Sequence, residues 1–122
     1  MIQLKSVHDD SSDHDGVRVL VDSVWPRRVS RERTRLDVWM RDVAPSAPLF
    51  QWFSHDPAKW QEFVSRYHRE LEQKDDFIRE LMAQSTNGSL TLVHGSPYPL
   101  YNSAAALKMY LERRRPRHEN NY

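Results

Sequence analysis

With 122 residues the chain has room for one domain and a real hydrophobic core. It is 39% hydrophobic and has no cysteine, which excludes disulfides, thiolate metal sites and cysteine nucleophiles. No apolar run approaches the roughly 18 residues that span a bilayer, and the opening Met-Ile-Gln-Leu-Lys lacks the layout of a signal peptide, so a soluble, cytoplasmic protein is expected. The formal net charge is +1, unevenly placed: residues 113–122 hold Arg113, Arg114, Arg115 and Arg117 against Glu119, a local +3, which leaves −2 for the body. That excludes a globally basic nucleic-acid binder. The expected organisation is a single α/β domain over 1–112 and a basic C-terminal tail over 113–122.

Ile2 and Leu4 alternate with Gln3 and Lys5, which predicts a short strand. Residues 8–16 are polar. His8, Asp9, Asp10, Asp13, His14 and Asp15 suggest a metal loop, but their spacing fits no EF-hand, so a surface loop without metal is expected. Val17 to Val21 is nearly continuous, as in a strand covered on both faces, with Arg18 its one charge, placed near an edge or snorkelling. The strand ends at Asp22, and Trp25-Pro26-Arg27 follow on a rigid turn. Arg27, Arg28, Arg31, Arg33 and Arg35 then make a cationic loop.

Residues 36–43 fit helical spacing through Leu36, Trp39, Met40 and Val43, and alternation through Leu36, Val38 and Met40. A helix is favoured, ended by Ala44-Pro45. Ser46 is positioned to cap a short helix bearing Leu49, Phe50, Trp52 and Phe53. Asp56 with Pro57 starts the next, whose Trp60, Phe63, Val64, Tyr67 and Leu71 form one apolar stripe. Asp75-Asp76 opens a further helix buried through Phe77, Ile78, Leu81 and Met82 and stopped by Asn87-Gly88. Leu90 to His94 reads as a second buried strand. Asn102 caps a last helix that packs through Ala104, Ala105, Leu107 and Leu111. Strands alternating with helices predict α/β with a short, mostly parallel sheet flanked by helices.

Ligands of open α/β sheets bind beyond the carboxyl ends of the strands. That rule gathers Asp22, His94 and Asn102 on one edge. Asp22 is the candidate polar anchor or base, Trp25 a stacking wall, Arg27 an anion clamp, and Ser46, His94 and Asn102 further contacts. His55, beside Asp56, is the second catalytic candidate. Ser23, Ser46 and Ser96 have no identifiable base, and no phosphate loop, zinc motif or nucleophile elbow occurs. The expected ligand is small and anionic or nucleotide-like; no metal is expected, and no cofactor is indicated. Two alternatives are a nucleic-acid-binding or regulatory module using arginines 27–35 and the tail, and a non-catalytic scaffold that binds a partner protein through exposed aromatics.

The ordered motifs Val-Leu-Val-Asp22-x-x-Trp25-Pro26-Arg27, Leu36-Asp37-x-Trp39, Ala44-Pro45-Ser46 and Trp52-Phe53-x-His55-Asp56-Pro57-x-x-Trp60 resemble the YeaO-like family, grouped as domain of unknown function 488. The resemblance covers about Gly16 to Leu111. It implies a small cytoplasmic α/β domain and supplies no reaction. Ser23 stands where relatives carry arginine and Arg28 where they carry glycine. After the late strand, relatives resemble Tyr-Ala-Ala-Lys-Asp-Glu-Glu-His-Asn-Asn-Ala; here the run is His94-Gly-Ser-Pro-Tyr-Pro-Leu-Tyr101-Asn102-Ser103-Ala104. Asn102 is kept, the loop acids are gone, and Tyr101 replaces the family histidine.

Overall fold

A computed structural model describes residues 1–114. Four strands, β1 (Ile2–Ser6), β2 (Val17–Leu20), β3 (Val38–Trp39) and β4 (Leu90–His94), form one parallel sheet in the order β1-β4-β2-β3. Every residue of β4 is buried, as expected for a strand flanked on both sides and covered on both faces. The helices are α1 (Arg31–Thr34), α2 (Ala47–Phe53), α3 (Trp60–Leu71), α4 (Asp75–Asn87) and α5 (Ser103–Arg114). The main core joins Val19, Leu90 and Leu92 of the sheet to Phe53, Phe63, Tyr67, Leu71, Leu81, Leu107 and Leu111 of the helices. A smaller cluster on the other face holds Val7, Leu20 and Val93, with Trp25, Val29, Leu36 and Trp39 packed against it.

Local capping chemistry sets most boundaries. Ser46 accepts the Leu49 amide at the start of α2, Asp56 accepts the Ala58 amide, and Asn102 accepts the Ala105 amide at the start of α5. The Asp56–Pro57 start opens as a 3-10 turn, Pro57–Lys59, that runs into α3. Asp75 and Asp76 lie inside the first turn of α4 rather than capping it, where their charge still favours the helix dipole. α5 buries Ala106 and Tyr110 where Ala105 was expected, and it extends through Arg114. The basic tail from Arg115 onward, including Arg117, lies outside the described residues.

Three expectations are corrected. Residues 36–43 are not a helix: Val38 and Trp39 pair with Val19 and Leu20, and the Met40 amide donates to the Leu20 carbonyl, leaving only a 3-10 turn at Arg41–Val43. The cationic segment is not wholly a loop, because Ser30 caps the single turn α1. Arg18 does not snorkel, and the loop before it is not merely a surface loop. Asp15 is 1% exposed and Arg18 4%; the guanidinium donates to the Asp15 carboxylate at 2.5 Å and twice to the Thr34 carbonyl. Lys5 adds a second cation at 2.8 Å. Burial pushes the Asp15 carboxyl up, but hydrogen bonds from Lys5, the Ser12 amide and Arg18 outweigh it and hold the group below its ordinary value.

Arg18→Ala is expected to destabilise the fold by about 3–5 kcal/mol, because it removes one partner of a buried ion pair; chemical denaturation measures it. Since the folded Asp15 carboxyl is shifted down, its stabilisation is present above the unfolded aspartate range and is lost as pH falls through the folded value. The acid limb of the stability profile should therefore flatten in Asp15→Asn. Gly16 has φ +64°, and a Cβ there would lie 2.0 Å from the Ser89 carbonyl oxygen. Gly16→Ala should cost about 3 kcal/mol. Arg28 also has positive φ, +59°, at the position where the family resemblance leads one to expect glycine. Arg28→Gly should raise stability by about 0.5–1 kcal/mol.

Candidate functional site

Because β2 and β4 are parallel neighbours, they end on the same edge of the sheet. Asp22 leaves β2 there and its Oδ2 accepts the Gly95 amide, the first after β4, at 2.8 Å. Gly95 permits this approach: a Cβ would come within 2.8 Å of the Pro26 ring. The Trp39 indole donates to the Asp22 carbonyl at 2.8 Å and fixes the backbone that carries the carboxylate. Burial raises the Asp22 carboxyl above its ordinary value, and the Gly95 hydrogen bond offsets this only in part.

A cavity of about 230 Å³ opens beside this bond. Its walls are Val21 to Val24 after β2, Ala44 and Pro45, Phe50 and Phe53 of α2, His55, His94 to Pro97 after β4, and Asn102 with Ser103 at the start of α5. That volume lies below the usual drug-sized pocket. The lining is mainly apolar, and Val24 and Phe50 are exposed at its rim.

His94 Nδ1 accepts the Ser96 amide at 3.1 Å, which places the ring proton on Nε2; burial favours the neutral ring and lowers its pKa. His55 follows Ser54, and both have positive φ, +57° and +47°. This unusual backbone turns the His55 ring onto Tyr98, stacked at 4.5 Å between centroids, and edge-on to Phe50 at 5.5 Å. Its Nδ1 is buried with no hydrogen-bond partner among the described residues. Asp56 does not orient it through a hydrogen bond, because the Asp56 carboxylate caps Ala58.

Asp22, His55, His94 and Asn102 are thus brought to one cavity, and the other expected contacts are not. Trp25 lies against the smaller cluster, its indole donating to the Val29 carbonyl and its face covered by the Arg31 guanidinium. Arg27 is exposed and does not line the cavity, so it is no anion clamp there. Ser46 is held by Glu70, its amide at 2.8 Å and its hydroxyl at 2.6 Å. Asn102 lines the wall, but its side chain is engaged at both ends, donating to the Tyr98 carbonyl and accepting the Ala105 amide. Sequence reasoning missed Phe50, Phe53 and Gly95 as wall residues. The first two read as core residues of a helix, and the only signal for Gly95 was a glycine directly after a strand.

The arginines form a second feature. Arg28, Arg33 and Arg35 line an open groove of about 820 Å³ together with His8, Asp9, Asp10 and Glu32. Among the described residues no group of three or more histidines and carboxylates has metal-binding geometry. No described helix is long and apolar enough to cross a membrane.

A family profile described as the inactive DUF488-N3 subclade matches residues 1–121. The uncharacterized protein Rv3073c of Mycobacterium tuberculosis is 34% identical over 113 residues, 93% of this chain and 95% of the relative. The uncharacterized protein YeaO of Escherichia coli is 31% identical over 110 residues, 90% of this chain and 96% of the relative. No solved structure matches the chain. Coverage from end to end by both the profile and these relatives places the chain in the YeaO-like family of domain-of-unknown-function-488 proteins, within the subclade described as inactive.

Proposed function

We propose that this chain binds a small ligand without transforming it, in the cavity between the ends of β2 and β4. The observation that carries the reading is Asp22. Its carboxylate is half-buried in a mainly apolar cavity, accepts a single hydrogen bond and has no salt-bridge partner among the described residues. A carboxylate in that state costs stability and acquires its best partner only when a ligand supplies one.

Catalysis has less support. Tyr101 replaces the histidine that the resemblance leads one to expect, the loop acids are absent, and the matching profile is described as inactive. His94 and His55 line the wall, yet no hydrogen bond couples either to Asp22 as a nucleophile–base pair would require. The nucleotide-like ligand suggested by the sequence is narrowed by volume to something nearer a base or another single-ring compound. Its anionic part loses support, because the lining contains no lysine or arginine.

A nucleic-acid reading retains one favourable observation, the three arginines along the open groove. Asp9, Asp10 and Glu32 line the same groove and oppose a phosphate backbone. Affinity for DNA or RNA that falls steeply with salt would favour it, and absence of binding at low salt would remove it.

A thermal-shift screen of compact heterocycles and amines should return a hit whose Tm rises with concentration as mass action requires. The hit should be recovered unchanged after incubation, and Asp22→Ala should abolish the shift. Turnover of the hit, or a shift that survives Asp22→Ala, would contradict the proposal. Because the folded Asp22 carboxyl is shifted up, its stability contribution is present below the unfolded aspartate pKa and lost as pH rises through the folded value. Ligand-free Asp22→Asn is therefore expected to match or exceed the parent in denaturant midpoint at pH 7 and to converge with it near pH 3.

A further inference from the structure

Resting on that reading, we propose that the cavity takes a small organic cation, an amine, amidine or guanidine carried on a compact apolar body. The charge balance of the walls points there. Asp22 is the one carboxylate among the lining residues, which include no lysine or arginine, and burial favours the neutral ring of His94. Glu70 adds negative charge behind the wall: it is fixed by two hydrogen bonds to Ser46, next to lining Pro45. The buried Tyr67 phenol responds to both carboxylates. Burial raises its pKa most, and the charges of Glu70 and Asp22 raise it further. The positive elements at the wall are the start of α5, a fraction of a charge where Asn102 already covers one free amide, and the Lys74 ammonium, which donates to the carbonyl of lining Ala44 at 3.0 Å and offsets Glu70 there.

The remaining chemistry suits the same class. Oδ1 of Asp22 and the second lone pair of Oδ2 stay available after the Gly95 hydrogen bond, enough for a charge-assisted contact with one or two N–H groups. Phe50 and Phe53 line the same cavity, and an aromatic lining attracts a desolvated cation and repels an anion. Arg27 and Arg28, the cations on the turn after β2, are exposed, do not line the cavity and form no ion pair with Asp22.

Three isosteric probes separate charge from shape: benzamidine, benzamide and benzoate, titrated into the full chain with amide chemical shifts as the readout. Benzamidine should move the Gly95, Ser96 and Ser103 amides saturably, with affinity about tenfold or more above benzamide, and benzoate should leave them in place. Asp22→Asn should lower benzamidine affinity about tenfold and leave benzamide unchanged, with its amide spectrum confirming the fold. Benzamide or benzoate binding at these amides as tightly as benzamidine would overturn the cation and leave the binding cavity intact. No movement of these amides with any probe would overturn both.

Discussion

The hydrogen bond from the Gly95 amide to the Asp22 carboxylate ties together the two chain ends at the edge of the sheet where the cavity opens. β2 and β4 lie side by side and parallel, so their chains leave the sheet at the same level. Without a tie between them the two following loops would separate, and the cavity would be a shallow gap. The tie needs a residue with no Cβ against Pro26 and a carboxylate held back from water. Both conditions carry a cost, in backbone freedom at Gly95 and in desolvation at Asp22. A structural turn has cheaper solutions, since an asparagine accepts the same amide without burying a charge. The ionisable group is therefore better explained by something it meets than by the turn it closes.

The motifs that place the chain in its family mostly hold the fold rather than line the cavity. Asp37 accepts the Arg18 amide, the Trp39 indole anchors the Asp22 carbonyl, Asp56 and Ser46 cap helices, and Trp60 packs against Phe53. Trp25 and Trp39 meet edge-on at 5.4 Å, with Arg31 and Arg41 over their faces, forming an amphipathic lid on the smaller core. These residues deliver Asp22 and the loop after His94 to one place. The proposed binding role then rests on a few local identities at the cavity.

What was legible in the sequence follows from the range of the interactions. Asp56-Pro57, Ser46 and Asn102 announce helix starts because the capped amides lie two or three residues away, and the α3 stripe is legible because its period is local. β3 was not legible: a two-residue strand is defined by its register with Val19 and Leu20, about 19 residues earlier. The burial of Arg18 was hidden because its partner Asp15 sits in a polar loop that looks like surface. The strand-end rule correctly joined Asp22, His94 and Asn102, but it carried no information on side-chain direction. Arg27 and Trp25 leave the cavity at a turn where Arg28 adopts positive φ, and the His55 ring is aimed by two consecutive left-handed residues. Neither backbone state is encoded by a glycine at those positions.

The central claim is that Asp22 is an ionisable group without a cationic partner until a ligand arrives. The most direct measurement is a titration of the Asp22 side-chain carboxyl by carbon-detected NMR in the ligand-free protein. The account requires a pKa above the ordinary aspartate range, since desolvation outweighs the single Gly95 hydrogen bond. An ordinary or depressed value would mean that the protein already neutralises Asp22, and it would contradict the account.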